Sequence, residues 1–472
     1  MKPLDVMRGF YVRSPRFVRD AVRPLISLVP TGVKFGRTYA DWRARIAKAE
    51  SDPQYANEQH LASLRALLAK AYQGSPFYRT LIDDAFGTGF DASALMPEDL
   101  RRLPVLGKKQ LREAGEAALA VPRWQLDRTE TSGSNAEPPF GFFLDKDRSA
   151  REMAFVYDAW SRVGFSEREA RISLRGFHLK GGGPGLYDWD PALRELKLAV
   201  FPMTAENVQA YLDEIDRKGI QFLYGYPSAM ELLCRRMRQL GRVPRPGIKG
   251  ILPISEPLYD HQRALIRSVL GDVKFGVFYG LSEKVAFAAE VQDEDGLYEF
   301  NPLYGVAELL DENGNPVIEP GREGRIVGTG FLSTGMPFIR YDTGDFGTLV
   351  ELATPENGRR LRIRALAPRR KPGFLISFDG QRIVTTDLTP EDPKLFNGIA
   401  EYQFYQDTPG EVVIRYILDP GGSTADVERL RAYVSAKSRG CLVFTLEAVP
   451  QIAGGRGGKR AFIDQRLDIT RY

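Results

Sequence analysis

Four segments of the chain carry more glycine, hydroxyl and charge than packing asks for. The first, TETSGSNAEPP at residues 129–139, sets Thr131, Ser132, Gly133, Ser134 and Asn135 in succession, with an apolar GFF run close behind. Hydroxyls beside unobstructed backbone N–H groups suit phosphate oxygens, although a polar turn has the same composition. The second, VKFGVFYGLSE at 273–283, is an apolar run that meets Gly280 and delivers Ser282 and Glu283. A carboxylate at the end of a parallel strand lies where open α/β sheets bind ligands, and it can hold magnesium on a phosphate; as an ordinary loop acid it is simply solvated. The third, GMPFIRYDTGDFG at 335–347, places Arg340, Asp342 and Asp345 around Thr343-Gly344, which is either a binding loop or an Asx-type turn. The fourth, GGRGGKRAF at 454–462, sets glycines around Arg456 and ahead of Lys459. It reads as a loop that carries cations to an anion, or as a flexible basic tail.

The elements between these segments alternate helix and strand. Residues 57–73 space Leu61, Leu64, Leu67, Leu68 and Ala71 as one helical face ending near Gly74. Thr204 caps a helix that runs to Lys218 and stops at Gly219; Pro227 opens one ending at Gly241; Leu258–Leu270 stops at Gly271. Strands are expected at Gln221–Tyr224, Gly250–Ile254 and Val273–Tyr279, which predicts an α/β core with a largely parallel sheet. After residue 300 a hairpin, Val306–Leu310 and Gly324–Gly328 about an Asn-Gly turn, and a strand at Leu361–Leu366 indicate a β-rich subdomain at about 300–368. Residues 365–373, with two prolines and three consecutive cations, read as a linker. Strands near 374–384, 401–406, 411–418 and 441–447 and a helix from about Thr424 to Ser438 complete a small α+β unit.

The chain has 472 residues and a formal net charge of +4, unevenly placed. Residues 1–50 hold eleven basic and four acidic side chains, a charge of +7, and the other 422 residues sum to −3. A slightly acidic body excludes a broad nucleic-acid-binding face. Cys234 and Cys441 match neither a disulfide nor a zinc framework, and His60, His178 and His261 are too scattered for a histidine metal site. No apolar run reaches membrane-spanning length and no secretory signal is legible, so a cytoplasmic protein is expected.

In their order the four segments resemble the adenylate-forming superfamily of acyl-CoA synthetases, luciferases and adenylation domains. TSGSNAEP is similar to its TSGSTGKP phosphate loop, YGLSE to Tyr-Gly-x-Ser/Thr-Glu, MPFIRYDTGD to MPLIRYxTGD, and GGKRAF to the closing Gly-Lys motif. YVRSP at 11–15, SPFYR at 75–79 and YGYPSAMELL at 224–233 are similar to the CapK-like branch of the phenylacetate:CoA ligase family, named for capsular-polysaccharide biosynthesis. Nearly the whole chain is covered.

The resemblance implies a large α/β N-terminal domain, with mostly parallel sheets and the β-rich subdomain, and a small C-terminal lid. It places a basic arm at 1–56, the core at 57–368, a hinge at 369–373 and the lid at 374–472. It further implies a ligase that uses ATP and Mg2+ to make an acyl-adenylate and passes the acyl group to CoA by default. The alternative acceptor is an amine or hydroxyl in polysaccharide or natural-product assembly. Thr131, Ser132, Gly133 and Ser134 would cradle phosphates, Ser282 would contact the α-phosphate after the Gly280 turn, and Glu283 would coordinate magnesium. Tyr279 would stack on adenine, Asp345 would accept from ribose, Arg370 would meet ribose or phosphate, and Lys459 would bridge the substrate carboxylate and the α-phosphate. The acyl pocket would draw on Tyr226, Ser228, Ser255, Glu256 and His178, with Arg175 and Lys180 as further cations. The sequence departs from the family's pattern at Ala136 and Glu137, which replace Gly and Lys, at Pro372 in the hinge, and at Arg369 ahead of Arg370. Glu137 and Pro372 favour a third reading, a nucleotide-binding scaffold without catalysis. Residues 1–50 are the segment expected to touch anionic lipid, glycan or a partner subunit.

Overall fold

The computed structural model describes residues 31–130, 140–175, 187–190, 193–200, 203–368, 374–384, 388, 395, 397–419, 421–450, 452 and 463–468. The first described helix, α1 (Thr31–Ser51), is kinked at Gly36, whose φ of 79° is costly for a residue with a Cβ. It buries Tyr39, Ile46 and Ala49, and its Arg43 pairs with Asp158 at 2.8 Å. Next come α2 (Pro53–Gly74), α3 (Pro76–Phe86) and α4 (Lys108–Ala114), then a hairpin of β1 (Leu126–Glu130) and β2 (Gly141–Asp145). Asp52 caps α2 by accepting from Tyr55 N, and the helix buries His60, Leu64, Leu67, Leu68 and Ala71 along one face.

Helix α5 (Arg148–Ser161) leads into the parallel sheet: β3 (Arg171–Leu174), β4 (Tyr187–Asp190), β5 (Glu195–Leu198), α6 (Ala205–Lys218), β6 (Phe222–Gly225), α7 (Pro227–Leu240), β7 (Gly250–Pro253), α8 (Asp260–Leu270) and β8 (Lys274–Phe275). Strand order is β4-β5-β3-β6-β7-β8, parallel except where β4 runs against β5. The local signals for α6 and α7 act as expected. Thr204 Oγ1 accepts from Asn207 N at 3.2 Å, Gly219 and Gly241 adopt left-handed φ of 65° and 62°, and Val208, Tyr211, Leu212 and Ile215 enter the core.

The run Val273–Tyr279, expected as one strand, is two. After β8 the chain passes Gly276 and enters β9 (Phe278–Gly280), which belongs to a different sheet. Gly276 makes the crossing feasible: a Cβ there would lie 3.1 Å from Val163 Cγ2 and 3.3 Å from Trp160. Strands β10 (Phe287–Glu290), β11 (Tyr298–Phe300), β12 (Gly305–Leu310), β13 (Glu323–Gly330), β14 (Tyr341–Glu351) and β15 (Arg362–Pro368) follow. They form an antiparallel sheet in the order β12-β13-β14-β15-β11-β10-β9. Strand β15 continues to Pro368, with Ala367 opposite Phe346 and Pro368 opposite Asp345. Residues 365–368 therefore belong to a strand, which corrects that part of the linker expected at 365–373; residues 369–373 lie outside the described residues. Pairing with β14 overrides the prolines because Pro368 falls at the strand's end, where a missing N–H costs least.

The C-terminal unit contains the hairpin β16 (Phe374–Ile376) and β17 (Arg382–Val384), then β18 (Ile399–Thr408), β19 (Glu411–Leu418), α9 (Thr424–Ser438), β20 (Val443–Ala448) and β21 (Ile463–Gln465). Its four-stranded sheet runs β20-β19-β18-β21. The expected mixed α/β class with a smaller α+β C-terminal unit is what the structure has. Among the described residues no helix is long and apolar enough to cross a membrane.

Candidate active site

The turn after β9 delivers Glu283 into a buried position, 4% exposed, beside β14 of the same antiparallel sheet. Tyr341 Oη donates to Glu283 Oε1 at 2.7 Å, and Lys108 Nζ stands 3.9 Å from the same oxygen. Burial, followed by the charge of Glu283, pushes the Tyr341 hydroxyl well above the usual phenol range. It stays protonated and remains a donor. Four residues earlier, Tyr279 donates to Asp345 Oδ2 at 2.9 Å. Its hydroxyl is likewise raised, by burial first and by Asp345 second.

Asp345 is held by the irregular, register-shifted stretch of β14 before it. Gly344 takes φ of 78°, Thr343 Oγ1 accepts from Asp345 N at 3.1 Å, and the same hydroxyl donates to Ile326 O at 2.8 Å. The motif's other charges point elsewhere. Asp342 pairs with Arg325 at 3.0 Å, and Arg340 forks onto Glu308 at 3.0 and 3.1 Å while donating to Leu103 O. Ser282 and Gly280 are exposed beside Glu283, and Tyr279 is half-buried.

The candidates for the acyl pocket lie at the C-terminal edge of the parallel sheet, where open α/β folds bind ligands. At Gly225 φ is 146° and a Cβ would sit 2.2 Å from Leu174 O, so β3 and β6 meet at a distance that glycine alone allows. Tyr226 N then donates to Leu174 O at 3.0 Å, and Ile254 N to Gly225 O at 2.9 Å. Ser228 and Glu256 meet: Glu256 accepts from Ser228 N and from Ser228 Oγ, both at 3.1 Å. The carboxylate thereby caps the N-terminus of α7 and complements its dipole. Ser255 takes a left-handed φ of 65° between them.

Of the residues singled out from the sequence, Tyr279, Gly280, Ser282, Glu283 and Asp345 lie on β9, on the turn after it and on β14, and Tyr226, Ser228, Ser255 and Glu256 lie along the edge of the parallel sheet. Thr131, Ser132, Gly133, Ser134, His178, Lys180, Arg370 and Lys459 fall outside the described residues. The strands flanking 131–139 are anchored nearby: Phe140 and Phe142 pack on Phe338, whose ring meets Tyr341 at 5.2 Å. Sequence reasoning assigned no role to Tyr341 or Lys108. Tyr341 stands inside a motif already noticed, but Lys108, in an ordinary basic helix start, carries no local signal.

No known family profile matches the chain. Phenylacetate-coenzyme A ligase of Thermus thermophilus is 28% identical over 295 residues, covering 60% of this chain and 63% of that protein, just under two thirds of its length. Protein CapK of Staphylococcus aureus is 21% identical over 399 residues, covering 83% of this chain and 85% of that one. Among solved structures, 2-hydroxyisobutyryl-CoA ligase in the postadenylation state with R3-HIB-AMP is similar at a TM-score of 0.51 and 19% identity, over 88% of this chain and 90% of that chain. The same ligase with 2-HIB-AMP and CoA, in the thioesterification state, gives 0.51 and 20% over the same shares. The chain is thus similar in sequence to phenylacetate-coenzyme A ligase and to CapK, and it shares its fold with 2-hydroxyisobutyryl-CoA ligase.

Proposed function

We propose that the protein is an ATP-dependent carboxylate ligase. A substrate carboxylate oxygen attacks the α-phosphorus, the bond to pyrophosphate breaks, and the acyl-adenylate then yields its acyl group to an acceptor with loss of AMP. The observation that carries this reading is the pairing of Glu283 with Tyr341 and of Tyr279 with Asp345, both between β14 and the β9 strand with its following turn. Such a site aligns reactants and neutralises phosphate charge, and it needs no protein nucleophile.

In this reading Tyr279 and Asp345 hold the nucleoside, Ser282 faces the α-phosphate, and Thr131, Ser132, Gly133 and Ser134 hold the outer phosphates. Lys459 and Arg370 bring cations from the C-terminal side. The core is assigned to 57–368, the hinge to 369–373 and the lid to 374–472. Glu283 fits a magnesium ion carried by the nucleotide, since Mg2+ in such sites takes one or two carboxylates plus phosphate oxygens and waters. Among the described residues there is no cluster of three or more metal-binding groups, as a dedicated protein cage would need. When bound, the ion would neutralise phosphate charge. Lys108, 3.9 Å from Glu283, supplies a cation in a chain whose phosphate-loop motif has Glu137 in place of the lysine.

CoA is the acceptor we assign, because both the Thermus relative and the structural neighbour are CoA ligases by name. Contact with an anionic membrane or glycan surface is assigned to the basic segment of residues 1–50. The test is acid-dependent pyrophosphate exchange over a library of carboxylic acids, with Lys459→Ala and Glu283→Gln as controls. Exchange that depends on an acid and is lost in both variants supports the proposal. Absence of exchange with every acid, together with absence of ATP binding, would sink it. AMP formation that saturates with an amine and ignores CoA would move the acceptor to the amide-forming alternative.

A further inference from the structure

A central strand of a parallel sheet is covered on both faces and ordinarily reads as continuous apolar residues. Strand β3 lies between β5 and β6 and departs from that rule on one face. Ile172 and Leu174 enter the apolar core, while Arg171 and Ser173 share the opposite face, buried at 8% and 0% exposure, with Arg175 next in the same register at the strand's C-terminal end. Arg171 is neutralised by Glu195 at 2.9 Å, and its guanidinium covers the Tyr224 ring at 4.1 Å. Arg175 stacks on the same ring at 5.5 Å and hydrogen-bonds the Tyr224 side chain. Unlike Arg171 it is exposed, and no carboxylate among the described residues pairs with it. The Tyr224 ring meets Trp160 at 5.3 Å, and Trp160 meets Phe278, the neighbour of Tyr279, at 6.3 Å. The polar face of β3 therefore packs against an aromatic cluster of Tyr224, Trp160 and Phe278, the last on the strand that also carries Tyr279.

A cation seated at the mouth of the acyl edge, pinned by an aromatic ring and lacking an acidic partner, is prepared for an anion brought by the ligand. We propose that Arg175 is a specificity residue that pairs with a second carboxylate at the far end of the acid being activated. The preferred substrates are then dicarboxylic acids, and monocarboxylic acids of the same length are poorer. The proposal rests on the acid-activating reading above and deepens it by naming the substrate class. Burying polar side chains on β3 is costly unless they are paired, and Arg171 and Ser173 continue the polar face inward behind the recognition cation.

The experiment measures acid-dependent pyrophosphate exchange with matched pairs: pentanoate and glutarate, heptanoate and pimelate, phenylacetate and 4-carboxyphenylacetate. Wild type, Arg175→Gln, Arg175→Lys and Arg175→Glu are compared, with thermal melting confirming that each variant folds. The expected results are preference for the diacid in at least one pair and a fall of roughly 10- to 100-fold in the diacid-to-monoacid ratio of kcat/KM in Arg175→Gln. Partial recovery is expected in Arg175→Lys, and a turn toward 5-aminopentanoate over glutarate in Arg175→Glu. Exchange that proceeds with an unchanged ratio in Arg175→Gln overturns the proposal and leaves the ligase reading intact. Equal losses for all acids with a raised KM for ATP also overturn it, by assigning Arg175 to the nucleotide. No exchange with any acid in wild type removes the ligase reading, and this inference with it.

Discussion

Replacing Tyr341 by Phe isolates one hydrogen bond. The tyrosine is fully buried and its ring sits edge-on to Phe338 at 5.2 Å, so phenylalanine keeps the packing and deletes only the hydroxyl that donates to Glu283 at 2.7 Å. A hydrogen bond to a charged group contributes about 1.5–3 kcal/mol. After its loss the ion-pair partner of Glu283 among the described residues is Lys108 at 3.9 Å, too far to replace it as a donor. Groups that orient a metal-binding carboxylate typically change metal affinity by about 10–100-fold when removed, which is about 1.4–2.8 kcal/mol. The two figures agree, so the expectation is a shift of at least tenfold in the Mg2+ concentration that half-saturates ATP binding. Calorimetric titration of ATP at several Mg2+ concentrations reads this directly, and urea unfolding shows how much of the effect is stability. If the Mg2+ midpoint in Tyr341→Phe stays within twofold of wild type while Glu283→Gln shifts it strongly, the orienting role assigned to Tyr341 is refuted.

Three further outcomes follow from the geometry. His60 is 2% exposed with Nδ1 2.8 Å from Pro302 O, and burial lowers its pKa to about 4. The folded state holds it neutral while the unfolded chain takes up a proton below the ordinary value near 6.5, so this stability is complete above about pH 6.5 and is lost as pH falls to about 4. The loss is roughly 3 kcal/mol, and His60→Gln should flatten that part of the stability-versus-pH curve. Gly225→Ala would place a Cβ 2.2 Å from Leu174 O, so a backbone shift is required; urea denaturation should show at least about 2 kcal/mol of destabilisation. Lys108→Met removes the cation beside Glu283 from a side chain that is 42% exposed. It should leave the melting temperature nearly unchanged and raise KM for ATP several-fold, and equal KM values would withdraw Lys108 from the nucleotide site.

Much of the fold was legible because its signals are local. Thr204 and Gly219 bound α6, Pro227 and Gly241 bound α7, and the expected strand at 411–418 and helix at 424–438 coincide with β19 and α9. Each rests on a cap, a left-handed φ or a periodicity that acts within a few residues. The boundaries that moved did so for tertiary reasons. The Val273–Tyr279 run divides because Gly276 must pass Trp160 and Val163, and residues 365–368 extend a strand because β14 pairs with them.

The candidate site divides the same way. The sequence by itself determined which residue types are present and in what order: the hydroxyl-rich loop, Glu283 after a tight turn, Asp345 after Thr343-Gly344, and Lys459 among glycines. Tertiary structure alone decided that Tyr341 reaches Glu283 from 58 positions away, that Lys108 stands beside it, that Glu256 caps α7 through Ser228, and that Arg175 shares the Tyr224 ring with a neutralised Arg171. Backbone conformation is set by neighbours along the chain, whereas the partner of a side chain is set by which sheet edges pack together, and no local pattern encodes that choice.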